Sequence, residues 1–246
     1  MTSAATTFSR RWVSQSSQRE AEEVTVGEST GNRTDIGRVP ERGVVDRDAI
    51  EAVLDEGMIA HVGLVAGDGG AAHPVVIPML YARLGDRLLL HGSPASRLLR
   101  TAKSGVEVCV TVTLLDGLVL ARSAFHHSMN YRSVVVFGTA TEVTDWDDKV
   151  AALDQLTDHV LPGRMAVLRP HTDKEVRGTT VLSLSLEECS MKVRTGPPVD
   201  DAEDMEADVW AGVLPLGVAV GAPEPDPLMP PRDAPDHVAA WSRGAI

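Results

Sequence analysis

The chain has 246 residues, with 23 basic against 35 acidic side chains and a formal net charge of -12. That length accommodates one core domain with additional terminal segments, and the acidic surplus argues against a polyanionic backbone, so nucleic acid is excluded as a general partner. Its two cysteines, Cys109 and Cys189, lie far apart and outside any CxxC or Cys/His zinc spacing, which fits a reducing cytoplasm.

Arg10-Arg11 has the look of a twin-arginine export signal, but the following "WVSQSSQREAEEV" is polar where such a signal needs an apolar stretch. No run approaches the roughly twenty apolar residues of a membrane span, so no membrane partner is expected. Residues 1–43 are rich in Ser, Thr, Glu, Arg and Gly without an apolar period, and read as a disordered arm. A short helix follows in "DRDAIEAVLDEG", with Asp46 or Asp48 as its cap, Ile50, Val53 and Leu54 as its apolar stripe and Gly57 as its stop.

From His61 the pattern becomes that of strands. "HVGLVAG" and "HPVVIPMLYARL" flank the turn "DGGAA", and "RLLLHG" follows Gly85-Asp86. In "VEVCVTVTLLDGLVLARS" the valines at 106, 108, 110 and 112 alternate with other residues, and Asp116-Gly117 predicts a hairpin turn. "YRSVVVFGTATEVT" predicts a long strand with a bulge or bend at Gly138. Asp145 caps a predicted helix carrying Val150, Leu153 and Leu156, which lies over the sheet. The strand "GTTVLSLSLEE" sends Thr180, Leu182, Leu184 and Leu186 one way and Ser183 and Ser185 the other, and "CSMKVRT" follows it. Six or seven strands joined mostly by hairpins, with few short helices, close most economically into an antiparallel barrel. The Pro- and acid-rich segment 197–246 reads as an extension wrapping the surface of a core at 44–196.

The turn "HGSPAS" between a strand and the helix "RLLRTAK" concentrates polar chemistry. The helix buries Leu98, Leu99 and Ala102, while Ser93 and Ser96 offer hydroxyls and Arg97 and Arg100 offer cations suited to a phosphomonoester. The same serines also serve as ordinary caps. Neither GxxxxGK[ST] nor a GxGxxG unit is present.

Four segments, "HPVVIPMLY", "LLLHGSPASRLLR", "FHHSMNYRSVVVFG" and "VWAGVLP", occur in an order and spacing that resemble the pyridoxamine 5'-phosphate oxidase-like split-barrel flavoproteins, in particular the branch of the nitroimidazole-resistance proteins. The resemblance spans Arg38 to Trp241. It implies a mainly β fold, a six-stranded antiparallel split β-barrel with a few short helices, and a homodimer holding FMN at its interface. By the same resemblance the backbone of Val75, Val76, Ile77, Pro78 and Met79 runs along the flavin ring, and His91, Gly92 and Ser93 lie by the ribityl chain and ring edge. Ser96 and Arg97 grip the phosphate. Leu98 stands where the family has a phosphate-binding lysine, with Arg100 or Lys103 as substitutes. Arg132-Ser133 matches an Arg-Gln pair, with Arg132 the cation that would stabilise the reduced ring. Trp210 either contacts the partner subunit's flavin or plugs the barrel mouth.

The function implied is an FMN-dependent oxidoreductase passing hydride or electrons between the flavin and a small organic substrate or nicotinamide donor. The Arg and His pattern of true pyridoxamine phosphate oxidases is replaced by "VLPLGVAVGAP", which argues against that activity. A non-catalytic module binding haem or the deazaflavin F420 is the alternative, with His91, His126 or His127 as an axial ligand. His126 and His127, read as neighbours on a strand, point to opposite faces and do not share a metal; one of them lines the pocket entrance. Lys192 and Arg194 belong to a solvated edge strand or attract an anionic substrate, and the acidic residues 200–208 form a solvated loop without EF-hand spacing.

Overall fold

The computed structural model describes residues 32–67 and 69–242. Most of the expected N-terminal arm therefore falls outside the described residues. The compact unit begins at Thr34 rather than at residue 44. Strand β1 (Gly43–Val44) pairs with a strand near residue 192, and Lys192 Nζ donates to the Arg38 carbonyl at 2.7 Å. Helix α1 (Arg47–Glu56) starts at Asp46, whose carboxylate accepts from the Ala49 N–H at 3.0 Å; this selects Asp46 over Asp48 as the cap.

The remaining elements are β2 (Ile59–Ala66), β3 (His73–Leu84), β4 (Arg87–Gly92), α2 (Arg97–Lys103), β5 (Glu107–Leu120), β6 (Ser128–Thr139), β7 (Thr141–Glu142), α3 (Trp146–Val160), α4 (Asp173–Arg177), β8 (Thr180–Ser185), β9 (Cys189–Arg194), β10 (Gly212–Pro215) and α5 (Asp236–Ala239). The pairs are antiparallel in the order β1-β9-β6-β5-β2-β3-β4-β8-β7, with β10 on β5. β8 runs into β9 through Leu186–Glu188, and the Phe137 N–H donates to the Glu188 carbonyl at 2.9 Å, so the ladder curls back on itself. Two strands serve both halves. β3 pairs with β2 along its first part and with β4 from Tyr81 onward. β6 bends at Gly138, where φ is +149° and a β-carbon would meet Leu184 Cδ1 at 3.1 Å, and continues as β7 against β8. This is a mainly β antiparallel split barrel with few helices.

Valines 108, 110 and 112 of β5 pack inside the barrel with Leu54, Tyr81 and Leu182. Tyr81 is fully buried, and its hydroxyl donates to the Leu54 carbonyl at 2.5 Å, tying α1 to β3. A second cluster, Leu89, Leu153, Leu156, Val176 and Val181, lies beneath α3, which Asp145 caps. That helix covers the outer face of β8, so Ser183 is buried as well.

One predicted turn is absent. β5 runs straight through Asp116-Gly117, where the register with β6 slips from Leu115 opposite Tyr131 to Gly117 opposite Asn130, a bulge that leaves Asp116 over. Gly117 instead makes room for a neighbouring strand, since a β-carbon there would lie 3.1 Å from the Leu214 carbonyl oxygen of β10. Within the C-terminal extension, Gly212–Pro215 thus joins the sheet as a strand. Among the described residues no helix is long and apolar enough to cross a membrane.

Candidate functional site

The barrel's split is a fork between β3 and β4. Tyr81 pairs with Leu90, but the ladder does not continue past that point: residues 73–80 pair with β2 alone, while His91 and Gly92 pair with Val181 and Thr180 of β8. One wall of the resulting cleft is the second edge of β3, which has no ladder partner among the described residues; the other is the turn His91-Gly92-Ser93. Two of the sequence-predicted segments are therefore brought face to face. Pro74 and Pro78, which have no N–H to give a ladder, are tolerated because this edge is open. Val76 and Ile77 are 61% and 41% exposed, Pro78 is exposed and Met79 half-buried.

Leu80 and His91, one on each prong, line a cavity of about 430 Å³ with Leu153, Leu156, Val160 and Arg164. His91 is half-buried, and its Nδ1 is buried without a hydrogen-bond partner. Desolvation pushes its pKa down, which keeps the imidazole neutral near pH 7. His171, held by Asp154 at 3.0 Å, lines the same cavity. The spacing of Leu153 and Leu156 is legible as a buried stripe; that the stripe also walls a cavity depends on where β3 and β4 part.

At the turn, a β-carbon on Gly92 would meet Leu99 Cδ1 at 2.9 Å, so a larger residue there would have to displace the buried Leu99 of α2. Ser93 Oγ accepts from the Ala95 N–H at 3.2 Å, and Ser96 Oγ caps α2 by accepting from the Leu99 N–H at 3.4 Å. Ser96 is the helix cap and Ser93 closes the turn ahead of it, and each hydroxyl keeps its proton to donate. Arg97 is exposed and has no side-chain partner among the described residues. Leu98 is 8% exposed and belongs to the barrel core, so the position aligned with a lysine here anchors the helix.

Arg132 and Ser133 fall on opposite faces. Arg132 turns to the inner side, donating to Asp116 at 2.7 and 3.0 Å and to Glu56 at 2.5 and 2.9 Å. Hydrogen bonds to Asp116 and then Glu56 raise its pKa further. The expectation that it faces a ring is replaced by a clamp between the end of α1 and the β5 bulge. Ser133 lies on the outer face, its Oγ 2.8 Å from Thr113 Oγ1. Trp210 is 68% exposed, its ring set against Gly212, so it does not plug its own barrel.

Three further expectations change. His126 ends a 3-10 turn, Ala124–His126, rather than lying on a strand; its Nε2 is 3.0 Å from Asp201, and Asp204 completes a group of three within 4.8 Å of one another. That bond to Asp201 raises the His126 pKa. His127 Nδ1 is hydrogen-bonded to the Ser123 carbonyl at 2.8 Å. The acidic segment is not wholly solvated: the Asp200 side chain is 1% exposed and accepts from the Arg122 N–H and guanidinium at 2.8 and 2.9 Å. β9 lies between β6 and β1 rather than at an open edge, and Arg194 is buried, donating to Asn130 and to the Gly196 and Pro197 carbonyls.

An antiparallel split barrel with an open strand edge facing a serine- and arginine-bearing turn defines the structural class. Within it, the chain belongs to the pyridoxamine 5'-phosphate oxidase family, whose pattern matches residues 46–193. It is similar to the flavocytochrome Anf3 from Azotobacter vinelandii at 40% identity, over 87% of this chain and 98% of that one, with a TM-score of 0.80. It is also similar to an FAD and haem binding protein from Mycobacterium smegmatis, again at 40% identity, over 82% of this chain and 98% of that one, with a TM-score of 0.77. A protein described as a 5-nitroimidazole antibiotic resistance protein, from Bacteroides thetaiotaomicron, shares the fold at 24% identity over 61% of this chain and 86% of its own, with a TM-score of 0.50. No sequence among the curated proteins matches.

Proposed function

We propose that this protein is a flavin-binding redox protein that works as a homodimer in the cytoplasm and holds a haem as a second group. The observation that carries the reading is the 40% identity, over more than four fifths of the chain, to two proteins named for carrying such groups. The residues fit a flavin. The open edge of β3 offers backbone N–H and C=O groups to the polar rim of a flat ring, and Val76, Ile77 and Met79 offer it apolar contact. Ser93, Ser96 and Arg97 offer hydroxyl and guanidinium donors to its phosphate. FMN is the form expected from the sequence; the Mycobacterium smegmatis protein favours FAD, which shares the ring and first phosphate.

Bound flavin supplies hydride and electron transfer, here between a donor such as a nicotinamide and a small organic acceptor. The chain's own part is to bind, orient and exclude water. Exposed Ile59, Val65 and Val76 lie on one face of β2 and β3, an apolar surface suited to a second copy. Trp210, exposed on its own subunit, then reaches the partner's ring. For the haem, His91 is the axial candidate: it is neutral, as a metal ligand must be, and faces an apolar cavity where Arg164 can meet a propionate. His126 and His127 are engaged elsewhere.

Absorption spectroscopy and mass spectrometry of the ligand released from purified protein test this. A two-banded yellow spectrum with a Soret band is expected, and His91→Ala should remove the Soret band while leaving the flavin bands. A single near-violet band, belonging to a deazaflavin, or a colourless protein with no affinity for FMN or FAD, refutes the proposal.

A further inference from the structure

A second, smaller cavity of about 190 Å³ lies where α2, the start of β8, β7 and the first turn of α3 meet. Arg100, Lys103, Lys149 and Arg177 line it, against the single carboxylate of Glu142, and the buried Thr180 completes the wall. Four cations against one acid in a chain of net charge -12 is a strong local reversal. Pro94 and Leu99 also line it, so the cavity adjoins the Ser93–Arg97 turn, although Ser93, Ser96 and Arg97 themselves do not line it.

The partners sort the four cations. Lys103 Nζ is paired with Glu142 at 2.7 Å, and Arg177 is paired with Asp173 at 3.1 Å and lies over the Trp146 ring at 5.5 Å. Arg100 and Lys149 have no side-chain partner among the described residues. Arg100, Lys103 and Arg177 also occupy the last turns of their helices, where the helix dipole already favours a cation. Lys149 lies in the first turn of α3, at the positive end of a 15-residue helix, and is half-buried. The Asp145 cap and the first-turn carboxylates of Asp147 and Asp148 offset that end of the dipole, and the Lys149 ammonium lines the cavity without a side-chain partner among the described residues.

We propose that this cavity binds the phosphoryl group of a small phosphorylated ligand, at a position adjoining the Ser93–Arg97 turn. At roughly 30 Å³ per water, the space admits a phosphoryl group and part of its carrier but not a whole nucleotide. The Arg100 fork and the two lysine ammonium groups supply charge-assisted donors. Two sources share that chemistry: the second phosphate of a flavin dinucleotide, or a separate phosphorylated reactant. The inference stands whether or not a flavin binds.

The test is calorimetric titration of the protein as purified with inorganic phosphate and pyrophosphate, comparing it with Arg100→Ala/Lys149→Ala. Neither residue carries an ion pair, and unchanged thermal melting verifies the fold. The double variant should bind at least about tenfold more weakly, since a charge-assisted hydrogen bond contributes about that factor or more. Binding should also fall with ionic strength. Lys174→Ala, an exposed lysine on α4 outside the cavity, should change affinity by less than about twofold. FAD, FMN and riboflavin titrations of the flavin-free protein then separate the sources: loss of FAD with FMN unchanged in the double variant assigns the second phosphate of the dinucleotide, unchanged binding of all three assigns a separate reactant, and equal losses of FAD and FMN return Arg100 to the flavin's first phosphate and overturn the proposal. Absence of phosphate and pyrophosphate binding in the native protein, or equal affinity in the double variant, overturns the proposal.

Discussion

Replacing Arg132 by Met separates two roles for this side chain. The guanidinium makes four contacts of 2.5–3.0 Å to Glu56 and Asp116, with the three side chains between 27% and 32% exposed. Exposed pairs contribute about 0–1 kcal/mol, whereas breaking a buried pair by removing one partner costs about 3–5 kcal/mol. At one-third exposure, with two carboxylates left facing each other, the cost should be about 2 kcal/mol. For a unit of this length that lowers the melting temperature by roughly 4–8 °C. Adding Glu56→Gln and Asp116→Asn to the Arg132→Met variant removes the repulsion and should recover at least half of the loss. Thermal melting by circular dichroism measures the stability, and a redox titration of bound flavin measures the potential, which should stay at the native value because the guanidinium faces inward. An unchanged melting temperature accompanied by a shifted flavin potential would refute the clamp and return Arg132 to the ring.

Arg97→Ala should weaken FMN and FAD by about tenfold, the lower end for a charge-assisted contact because Arg97 is exposed, and leave riboflavin unchanged; equal losses in fluorescence titrations would count against the phosphate assignment. Trp210→Ala, placed in one subunit of a hybrid dimer, should alter flavin reactivity in the partner subunit, and an effect confined to its own subunit contradicts the interface. The His126–Asp201 pair has a pH signature. Its histidine pKa is raised above the ordinary 6.5 by the Asp201 hydrogen bond, so the pair's stabilisation is fully present below pH 6.5 and is lost as pH rises through the raised value. Limited proteolysis of residues 198–210 should therefore be faster in His126→Ala than in the native chain at low pH, with no difference at about pH 9; a difference independent of pH sinks this reading.

Local chemistry is enough for α1, α2, α3, β3 and β4, because each carries its own cap, stripe or alternation. The expected Asp116-Gly117 turn fails for a nonlocal reason. Asp-Gly favours a hairpin, but the long ladder to β6 and the approach of β10 outweigh that preference, and neither is visible in a short window. β10 itself is hidden in Pro- and acid-rich surroundings. Other features have a local signal that a closer reading of the residues yields. Strand alternation already separates Arg132 from Ser133, and Thr172 with Glu175 is a T-x-x-E signature, realised as a capping box on α4. The cation cavity gathers Arg100, Lys103, Lys149 and Arg177 from three helices, which no spacing along the chain reveals.

The cleft's place follows from topology rather than from its side chains. β3 must serve both halves of the barrel, so past Tyr81 one of its edges is abandoned by β4, which turns to β8. An abandoned edge carrying exposed Val76 and Ile77 invites pairing with another chain unless something covers it. Gly92 and Leu98 then decide how firmly the opposite wall is set: Leu99 packs against the space above Gly92, and Leu98 is buried in the core. A lysine at 98 would have to leave that core to reach a phosphate, loosening the wall it grips from. The chain has kept the rigid wall, and the cations on α2, Arg97, Arg100 and Lys103, lie on its exposed side. Tightening phosphate binding through Leu98→Lys should therefore fail, lowering the melting temperature by the cost of a lost buried leucine, about 2–5 kcal/mol, without improving flavin affinity; a tighter flavin at native stability would show that the helix is not held by this residue.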